Sequence, residues 1–447
     1  MKNLETPPTL KDVIPNTNQR IVELIMNEEF NKLLNEVNEN YYYWDKVKYL
    51  KTPVQIKPEE VWAIAKVRRR NTPHKINFGK YSFSWFLTIK IQELLHLFDL
   101  NIGGTLESKS VIPKDDKNRY LISSIMEEAI ASSQIEGAIT TRKKAKEMLR
   151  KNINPRNKSE QMIFNNYISI QKILDWKTEK LTESKLLELH KLVTNKTLEN
   201  EGDEGKFRID NEVKVIDVID GEVVHYPPDF SEIKQLSTDL CDFFNTDSKD
   251  VFVHPIIKGC IIHFMIGYIH PFVDGNGRTA RALFYWYLLR KGYWLTEYLS
   301  ISKMILKSKM QYAKAYQYTE IDENDLTYFI NYQLKTMKLS FDSLREYIQR
   351  KIEEKRKITD FIKLENINER QALILKWIYE ESSLVLSVKE METRLSISNQ
   401  TARTDLQGLA DLGYLDAIQL NKKTQAFVKS EKFDNLLSKK GKSIISE

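Results

Sequence analysis

The sequence predicts a mainly α-helical protein with more than one domain. The chain has 447 residues, which is too long for one hydrophobic core of ordinary size. Apolar residues recur at helical spacing along most of it, whereas strand patterns are few. After residue 365 the pattern changes to short helices followed by a hairpin. We therefore expect a helical N-terminal region over 1–110, a helical core over 120–335, a connecting helix over 336–365 and a separate domain over 366–447.

The composition is that of a globular protein, with 41% apolar and 29% charged residues. The formal charge of +6 is a small excess and does not by itself indicate nucleic-acid binding. The most apolar window, 259–272, is shorter than the roughly 20 residues that cross a bilayer, and the N-terminus lacks the pattern of a signal peptide. Cys241 and Cys260 have no metal-ligand spacing. These features favour a cytoplasmic protein without membrane contact.

The N-terminal region carries one strong helical pattern, SFSWFLTIKIQELLHLF at 82–98. Leu87, Ile91 and Leu95 share one face of that predicted helix. The stretch 103–119 is rich in turn formers and charge, so we expect it to separate this region from the core.

Within the helical core, VKVIDVIDGEVVHYPP (213–228) is the exception. Two β-branched runs flank Asp220-Gly221, a dipeptide typical of two-residue hairpin turns, and two prolines follow. We expect a β-hairpin over about 213–226. On this pattern alone it could be a surface hairpin with no role.

The 366–447 segment is typical of a winged helix-turn-helix domain, in which the third helix often lies in the major groove of DNA. Ser398 is placed to cap that helix. The side chains that could read bases are Asn399, Gln400, Arg403 and Gln407, and Lys422 and Lys423 could contact phosphates. The segment nevertheless contains 12 Lys/Arg and 11 Asp/Glu, so DNA binding and protein contact both remain open.

The most informative stretch is HPFVDGNGRTAR (270–281), a polar loop between two strongly apolar segments. Helices that are apolar on every side belong in a bundle interior. Gly275 and Gly277 allow positive φ and close approach of backbone N–H groups to a ligand. The second helix would begin here with free N–H groups, and Arg278 and Arg281 lie on its first turns. This arrangement predicts an anion site.

Two further residues of the loop suggest chemistry. Asp274 offers a hard oxygen ligand suited to Mg²⁺, and His270 can act as a general base beside the anion. Together these are the parts that phosphoryl or nucleotidyl transfer to a hydroxyl requires. The residues alone also allow a simpler interpretation, a tight connection whose arginines pair with local acids.

The loop resembles the Fic family motif HxFx(D/E)GNGRxxR at every defined position. The resemblance implies a compact helical core and transfer of AMP from ATP to a Ser, Thr or Tyr hydroxyl of a protein. It implies that His270 deprotonates the target hydroxyl and that Asp274 holds Mg²⁺ on the α- and β-phosphates.

The same resemblance assigns the nucleotide contacts. It implies that Asn276 and the backbone of Gly275 and Gly277 line the phosphate nest, that Arg278 contacts the β-phosphate and that Arg281 contacts the γ-phosphate. Related kinases of the Doc type typically have lysine where this chain has Gly277, which favours AMP transfer here. The predicted hairpin would be the flap that aligns the target peptide.

A second stretch, SSQIEG (132–137), ends a predicted helix over about 121–137. Ile122, Ile125, Ala129, Ser132 and Glu136 fall on one helical stripe, so we expect Glu136 to face inward and Gly137 to end the helix. The alternative is a frayed last turn with Glu136 in water. The stretch resembles the Fic inhibitory motif (S/T)xxxE(G/N), which implies that Ser132, Glu136 and Gly137 are regulatory and that Glu136 pairs with Arg281.

The sequence therefore predicts a Mg²⁺-dependent protein adenylyltransferase that uses ATP, is autoinhibited, and modifies a target protein or itself. One alternative is a DNA-binding transcriptional regulator with a nucleotide-sensing core. Another, implied by the resemblance, is a Fic enzyme that mainly removes AMP. Whether the chain forms a homodimer is left open.

Overall fold

The computed structural model describes residues 4–13, 17–69, 73–103, 117–217, 221–247, 252–362, 364, 366–382, 384–421 and 424–441. The chain divides into two compact units, Met1–Leu344 and Arg345–Glu447. Helices predominate in both, so the predicted mainly α fold class is confirmed. None of the helices in these ranges is long and apolar enough to cross a membrane.

In the part of the chain that the structure describes, the first unit begins with six short helices, and the first five contribute side chains to an aromatic cluster. The six helices are α1 (Leu10–Val13), α2 (Thr17–Met26), α3 (Glu28–Glu39), α4 (Trp44–Val47), α5 (Pro58–Arg69) and α6 (Ile89–Asn101). Phe30, Trp44 and Trp62 are buried together in this cluster. Asn27 caps α3, because its side chain accepts a hydrogen bond from the N–H of Phe30.

A hairpin that the sequence analysis did not predict lies between α5 and α6. Strands β1 (His74–Phe78) and β2 (Tyr81–Trp85) are antiparallel, and α6 begins only at Ile89, so the predicted helix over 82–98 is wrong in its first part. The side chains of β2 alternate between its two faces, which places Phe83 and Trp85 together on the buried face. Leu326 donates its N–H to the carbonyl of Ser84 (2.8 Å), which fixes the strand against the core.

The helical core follows. Its helices are α7 (Lys117–Ile135), α8 (Arg142–Arg150), α9 (Lys158–Trp176), α10 (Glu183–Thr194), α11 (Ile233–Asn245), α12 (Pro255–Ile269), α13 (Asn276–Arg290), α14 (Ile301–Lys307), α15 (Lys309–Ile321) and α16 (Thr327–Ile362). Short 3₁₀ turns lie at Glu201–Asp203, Phe230–Glu232 and Trp294–Tyr298. Nearly every residue of α12 and α13 is buried, as expected of helices that are apolar all round.

The predicted hairpin within the core is present as β3 (Val215–Ile216) and β4 (Val223–His225), paired antiparallel. It is shorter than predicted because a bulge interrupts the pairing between Val215 and Ile216. Gly221 has a φ of +74°, whereas Asp220, the other predicted turn residue, lies outside the described residues.

The second unit contains α17 (Glu369–Glu380), β5 (Leu386–Ser387), α18 (Val388–Leu395), α19 (Asn399–Asp411), β6 (Leu415–Asn421), β7 (Thr424–Lys429) and α20 (Phe433–Gly441). The strands form one sheet in the order β5-β7-β6. Ser398 caps α19 by accepting a hydrogen bond from the N–H of Thr401. Strand β5 and helix α20 are additions to the predicted order, and Lys422 and Lys423 lie outside the described residues.

Candidate active site

The loop at 270–276 is held between the two most buried helices of the core. Helix α12 ends at Ile269, and His270 follows in the left-handed conformation, with a φ of +47°. Such a backbone is uncommon for histidine and persists only where the surroundings enforce it. Arg208 supplies part of that enforcement, because its Nε donates to the carbonyl of His270 (3.0 Å) and its N–H to the carbonyl of Pro271 (2.9 Å).

The imidazole of His270 is prepared to accept a proton. Its Nδ1 lies 3.2 Å from the carbonyl of Gly267, so Nδ1–H donates there and Nε2 carries the free lone pair. Burial lowers the pKa of His270 to about 4, and the charge of the nearby His225 contributes to the lowering. The ring is therefore neutral at physiological pH, as a general base must be.

His225 belongs to the β3–β4 hairpin, and the sequence analysis did not single it out. Its two ring nitrogens lie 2.7 Å from the carbonyl of Tyr268 and 2.6 Å from the carboxylate of Glu320. Both partners are acceptors, so both nitrogens carry a proton. Burial alone would lower the pKa of His225, but the hydrogen bond and the charge of Glu320, together with the hydrogen bond to Tyr268, outweigh burial and raise the pKa. This contact fixes strand β4 next to the last turn of α12.

Asn276 closes the loop by pairing with the backbone of Phe272. Its side-chain Oδ1 accepts from the N–H of Phe272 (3.0 Å), and its Nδ2 donates to the carbonyl of the same residue (2.8 Å). Both polar atoms of the Asn276 side chain therefore hold the loop, and the predicted place of Asn276 in a phosphate nest stays a prediction.

His190 of α10 packs against the loop, and the sequence analysis did not single it out either. Its ring stacks on Phe272, with the centroids 3.7 Å apart. Gly205 donates its N–H to Nδ1 (3.0 Å), so Nε2 carries the proton and donates to the carbonyl of Asp274 (2.8 Å). Burial lowers the pKa of His190 to about 4, which keeps it in this single tautomer.

Gly275 is required at its position for both conformation and space. Its φ is +86°, and a Cβ there would stand 2.6 Å from Cγ2 of Thr194. Gly292 has nearly the same φ, +85°, but a Cβ there would meet nothing within 4 Å. The two glycines therefore separate the cost of a left-handed backbone from the cost of crowding.

We expect Gly275→Ala to lower the free energy of unfolding by about 2 kcal/mol more than Gly292→Ala. Both variants bear the left-handed strain, but only the first pushes a methyl group into Thr194. Urea denaturation followed by circular dichroism gives both values. Equal losses in the two variants would show that the loop is not tightly packed against α10.

The N-terminus of α13 leaves its first N–H groups without a side-chain cap. Two buried arginines stand beside it. Arg278 donates Nη1 to the carbonyl of Val193 (2.7 Å), and Arg281 donates Nε to Oγ of Ser132 (2.8 Å). Among the described residues, neither Nε of Arg278 nor Nη1 of Arg281 has a hydrogen-bond partner, although both atoms are buried. Buried N–H groups without partners fit an anionic ligand that would satisfy them.

Asp274 faces solvent beside this helix terminus, with 52% of its side chain exposed. Its Oδ1 accepts from the N–H of Gly275 (2.5 Å), and its Oδ2 lies 3.5 Å from Nη2 of Arg278. No group of three or more His, Cys, Asp or Glu that could hold a metal occurs in the described parts of the chain. A single exposed carboxylate fits Mg²⁺, which keeps waters and phosphates as its other ligands.

Helix α7 brings the second motif to Arg281. Nη2 of Arg281 lies 2.9 Å from Oε1 of Glu136 and 3.0 Å from the carbonyl of Ser132. Helix α7 ends at Ile135, and Gly137 follows with a φ of +91°. Ala138 then donates its N–H back to the carbonyl of Ser133 (3.0 Å), a pairing typical of glycine-terminated helices.

The prediction that Glu136 faces inward on a buried stripe is wrong. The residue lies beyond the last turn of α7, and 29% of its side chain is exposed, because the chain has already left the helix. Ile122, placed on the same stripe, is 48% exposed. Glu136 reaches Arg281 from the solvent side instead.

Gly277 also differs from expectation, because it is helical and has no positive φ. It is needed for space, since a Cβ there would collide with Oε1 of Glu136 and stand 3.1 Å from Nη1 of Arg281. The carboxylate of Glu136 therefore lies directly against the start of α13, where the sequence predicts an anion site.

Comparisons with known proteins agree with this geometry. Residues 180–288 match the model of the Fic/DOC family. The proteins named protein adenylyltransferase Fic from Drosophila willistoni and Drosophila melanogaster are each 30% identical to this chain over 153 residues. Those residues are 34% of this chain, and the match spans only 27% of the length of each relative.

A solved structure shows the same fold. A Fic family protein from Desulfovibrio desulfuricans G20 superimposes with a TM-score of 0.50 at 20% identity. The match covers 78% of this chain and 98% of that protein. The similarity to that structure concerns the fold, and the match to the Fic/DOC family model covers residues 180–288, which include the loop.

Proposed function

We propose that this chain is a protein adenylyltransferase that transfers AMP from ATP to a hydroxyl side chain of a target protein or of itself. The observation that carries the proposal is the pair of buried arginines with unpartnered N–H groups at the uncapped N-terminus of α13. A neutral histidine, His270, stands in the loop that leads into this helix. The named relatives, protein adenylyltransferases, support the same activity.

In this proposal, Nε2 of His270 takes the proton from the target hydroxyl as its oxygen attacks the α-phosphorus of ATP. The bond to the β-phosphate breaks, and pyrophosphate leaves. The first N–H groups of α13, Arg278 and Arg281 hold the phosphates through charge-assisted hydrogen bonds. Asp274 would hold Mg²⁺, which neutralises phosphate charge when bound.

The proposal includes autoinhibition by Glu136. Its carboxylate already accepts a hydrogen bond from Nη2 of Arg281 and lies against Gly277. In the proposed complex, a phosphate of ATP would have to bind at the same position. Ser132 holds the same guanidinium through Nε, so Arg281 is turned toward α7. Glu136 and the γ-phosphate would therefore compete for one side chain. Because the carboxylate is partly exposed, it could also orient water for removal of AMP, which remains the alternative direction.

The position of the label in ATP distinguishes AMP transfer from phosphate transfer. We expect the chain, incubated with Mg²⁺ and a bacterial or eukaryotic lysate, to incorporate label into protein from ATP labelled at the α-phosphate. ATP labelled at the γ-phosphate should give none, because pyrophosphate leaves. Labelling from the γ-position would identify a kinase instead. Binding of ATP without any incorporation would favour the nucleotide-sensing regulator.

The second unit adds a separate proposal, that 366–447 is a winged helix-turn-helix domain that contacts DNA. The specific observation is the orientation of α19. Asp405 is buried and pairs with Arg370 (2.6 Å), so its negative charge does not face a groove. Exposed polar side chains occupy the other face of the helix, namely Asn399, Gln400, Arg403, Thr404 and Gln407. Such a face fits readout of base edges.

A further inference from the structure

A strongly basic segment lies next to α7, outside the site described above. Residues 142–158 contain eight basic residues and a single acidic one, Glu147. The segment alone thus has a formal charge of +7, whereas the whole chain has +6. The basic residues are Arg142, Lys143, Lys144, Lys146, Arg150, Lys151, Arg156 and Lys158. We call this segment the basic strip.

The fold directs the strip outward. Helix α8 buries Ala145, Met148 and Leu149 against a cluster that includes Met126 and Ile130 of α7. Its remaining faces point to solvent. The side chains of Arg142, Lys144 and Lys151 are 58–65% exposed. The positive charge is therefore displayed on the surface and held in place by a packed helix.

Nearby acids neutralise only part of the strip. Glu127 binds Arg142 and Lys146, Glu160 binds Lys144 (2.7 Å) and Glu147 binds Lys151 (2.6 Å). Four basic residues form no ion pair with any residue that the structure describes: Lys143, Arg150, Arg156 and Lys158. A surface whose charges served only solubility would be expected to mix both signs. The basic strip instead carries eight positive side chains and one negative one.

Helix α14 adds to the excess. Lys303 of this helix lies close enough to the basic strip for the charges of Arg142 and Lys146 to affect its pKa. Burial lowers the pKa of Lys303, and the positive charges of Arg142, Lys307 and Lys146 lower it further, although Glu127 opposes them. Lys303 therefore adds one more basic side chain beside the strip.

We propose that the basic strip is a docking surface for the phosphate backbone of a nucleic acid. The charges are distributed along α8, about 13 Å long at 1.5 Å per residue, and continue to the first turn of α9. They do not converge on one point, as a site for a single small anion would require. A polymer of evenly spaced phosphates can contact several of them at once, and release of its counterions drives binding.

The test is binding of the full chain to a fluorescein-labelled, unstructured single strand of about 20 nucleotides, long enough for one protein site. A single strand is used because winged helix-turn-helix domains read duplex. We expect Lys143→Glu/Arg156→Glu/Lys158→Glu to raise Kd at least ten-fold. The slope of log Kd against log salt should fall by about 2, since each lost contact contributes about 0.7 for single strands.

The matched control is Lys32→Glu/Lys51→Glu/Lys75→Glu, which changes the net charge equally at exposed lysines elsewhere in the first unit. Equal weakening by both triple variants, or no binding by wild type, would overturn the proposal. So would strip-dependent binding to phosphatidylserine vesicles without binding to the strand. If the triple glutamate variant loses its helical circular dichroism signal, the triple glutamine variant at the same three positions is measured instead. It should also raise Kd for the single strand.

Discussion

Replacing Glu136 by glycine is expected to raise the rate of AMP incorporation about ten- to a hundred-fold, since a hydrogen bond between charged groups contributes about 1.5–3 kcal/mol. In the wild-type structure, the carboxylate holds Nη2 of Arg281 at 2.9 Å and fills the space against Gly277. Its removal frees both the guanidinium and the volume for a γ-phosphate. Incorporation from α-labelled ATP measures the effect.

The rest of α7 should stay in place in this variant. Glu128, two turns before Glu136, is buried and accepts a hydrogen bond from the N–H of Ser302 (2.9 Å) at the start of α14. Glu136 itself lies outside the helix, where glycine is well tolerated. Thermal unfolding should therefore change little, and any gain in activity reports the freed site.

Glu381→Gly is the matched control, because Glu381 is also an exposed glutamate that directly follows a helix, in the second unit. It should leave the rate unchanged. If Glu136→Gly is no faster than wild type while its fold is intact, Glu136 does not inhibit. If wild type releases AMP from a pre-modified target and Glu136→Gly does not, the reverse activity is the main one.

The loop could be singled out from the sequence because its candidate residues are local. Twelve consecutive residues contain the proposed base, the proposed metal ligand and the two arginines, and the apolar flanks indicate that two buried helices hold them. The sequence also brought Glu136 and Arg281 together across 145 positions, but only through the resemblance of the upstream motif. Periodicity placed Glu136 on a buried stripe, which is wrong because the helix ends one residue earlier.

The supporting residues could not be found in the same way. His190 and Arg208 hold the loop from 84 and 62 positions upstream, and neither lies in a pattern that distinguishes it from any other buried polar residue. The role of Asn276 depends on backbone geometry, since a short loop lets its amide bind both polar groups of Phe272. The hairpin β1–β2 was missed because Phe83 lies four residues before Leu87 and so continues the spacing of the predicted helix into the strand.

Replacing His270 by alanine is expected to lower AMP transfer by at least a hundred-fold, the lower range for loss of a general base. The variant should still bind ATP with little change, because in the proposed mechanism α13 and its arginines, and not the imidazole, hold the phosphates. His96→Ala, at an exposed histidine of α6, is the matched control and should be fully active. If His270→Ala still transfers AMP at the wild-type rate, His270 is not the general base of the reaction.

The pH profile tests the same residue without a mutation. Because burial lowers the pKa of His270 to about 4, the base form persists at every pH well above 4 and is lost only as the pH falls through that value. The rate of the Glu136→Gly variant should therefore be flat from about pH 8 to 5, whereas a histidine with its ordinary pKa of about 6.5 would lose half of its base form at pH 6.5. A midpoint near 6.5, with the fold intact, would mean that the catalytic base is more exposed to water than His270 is in this structure.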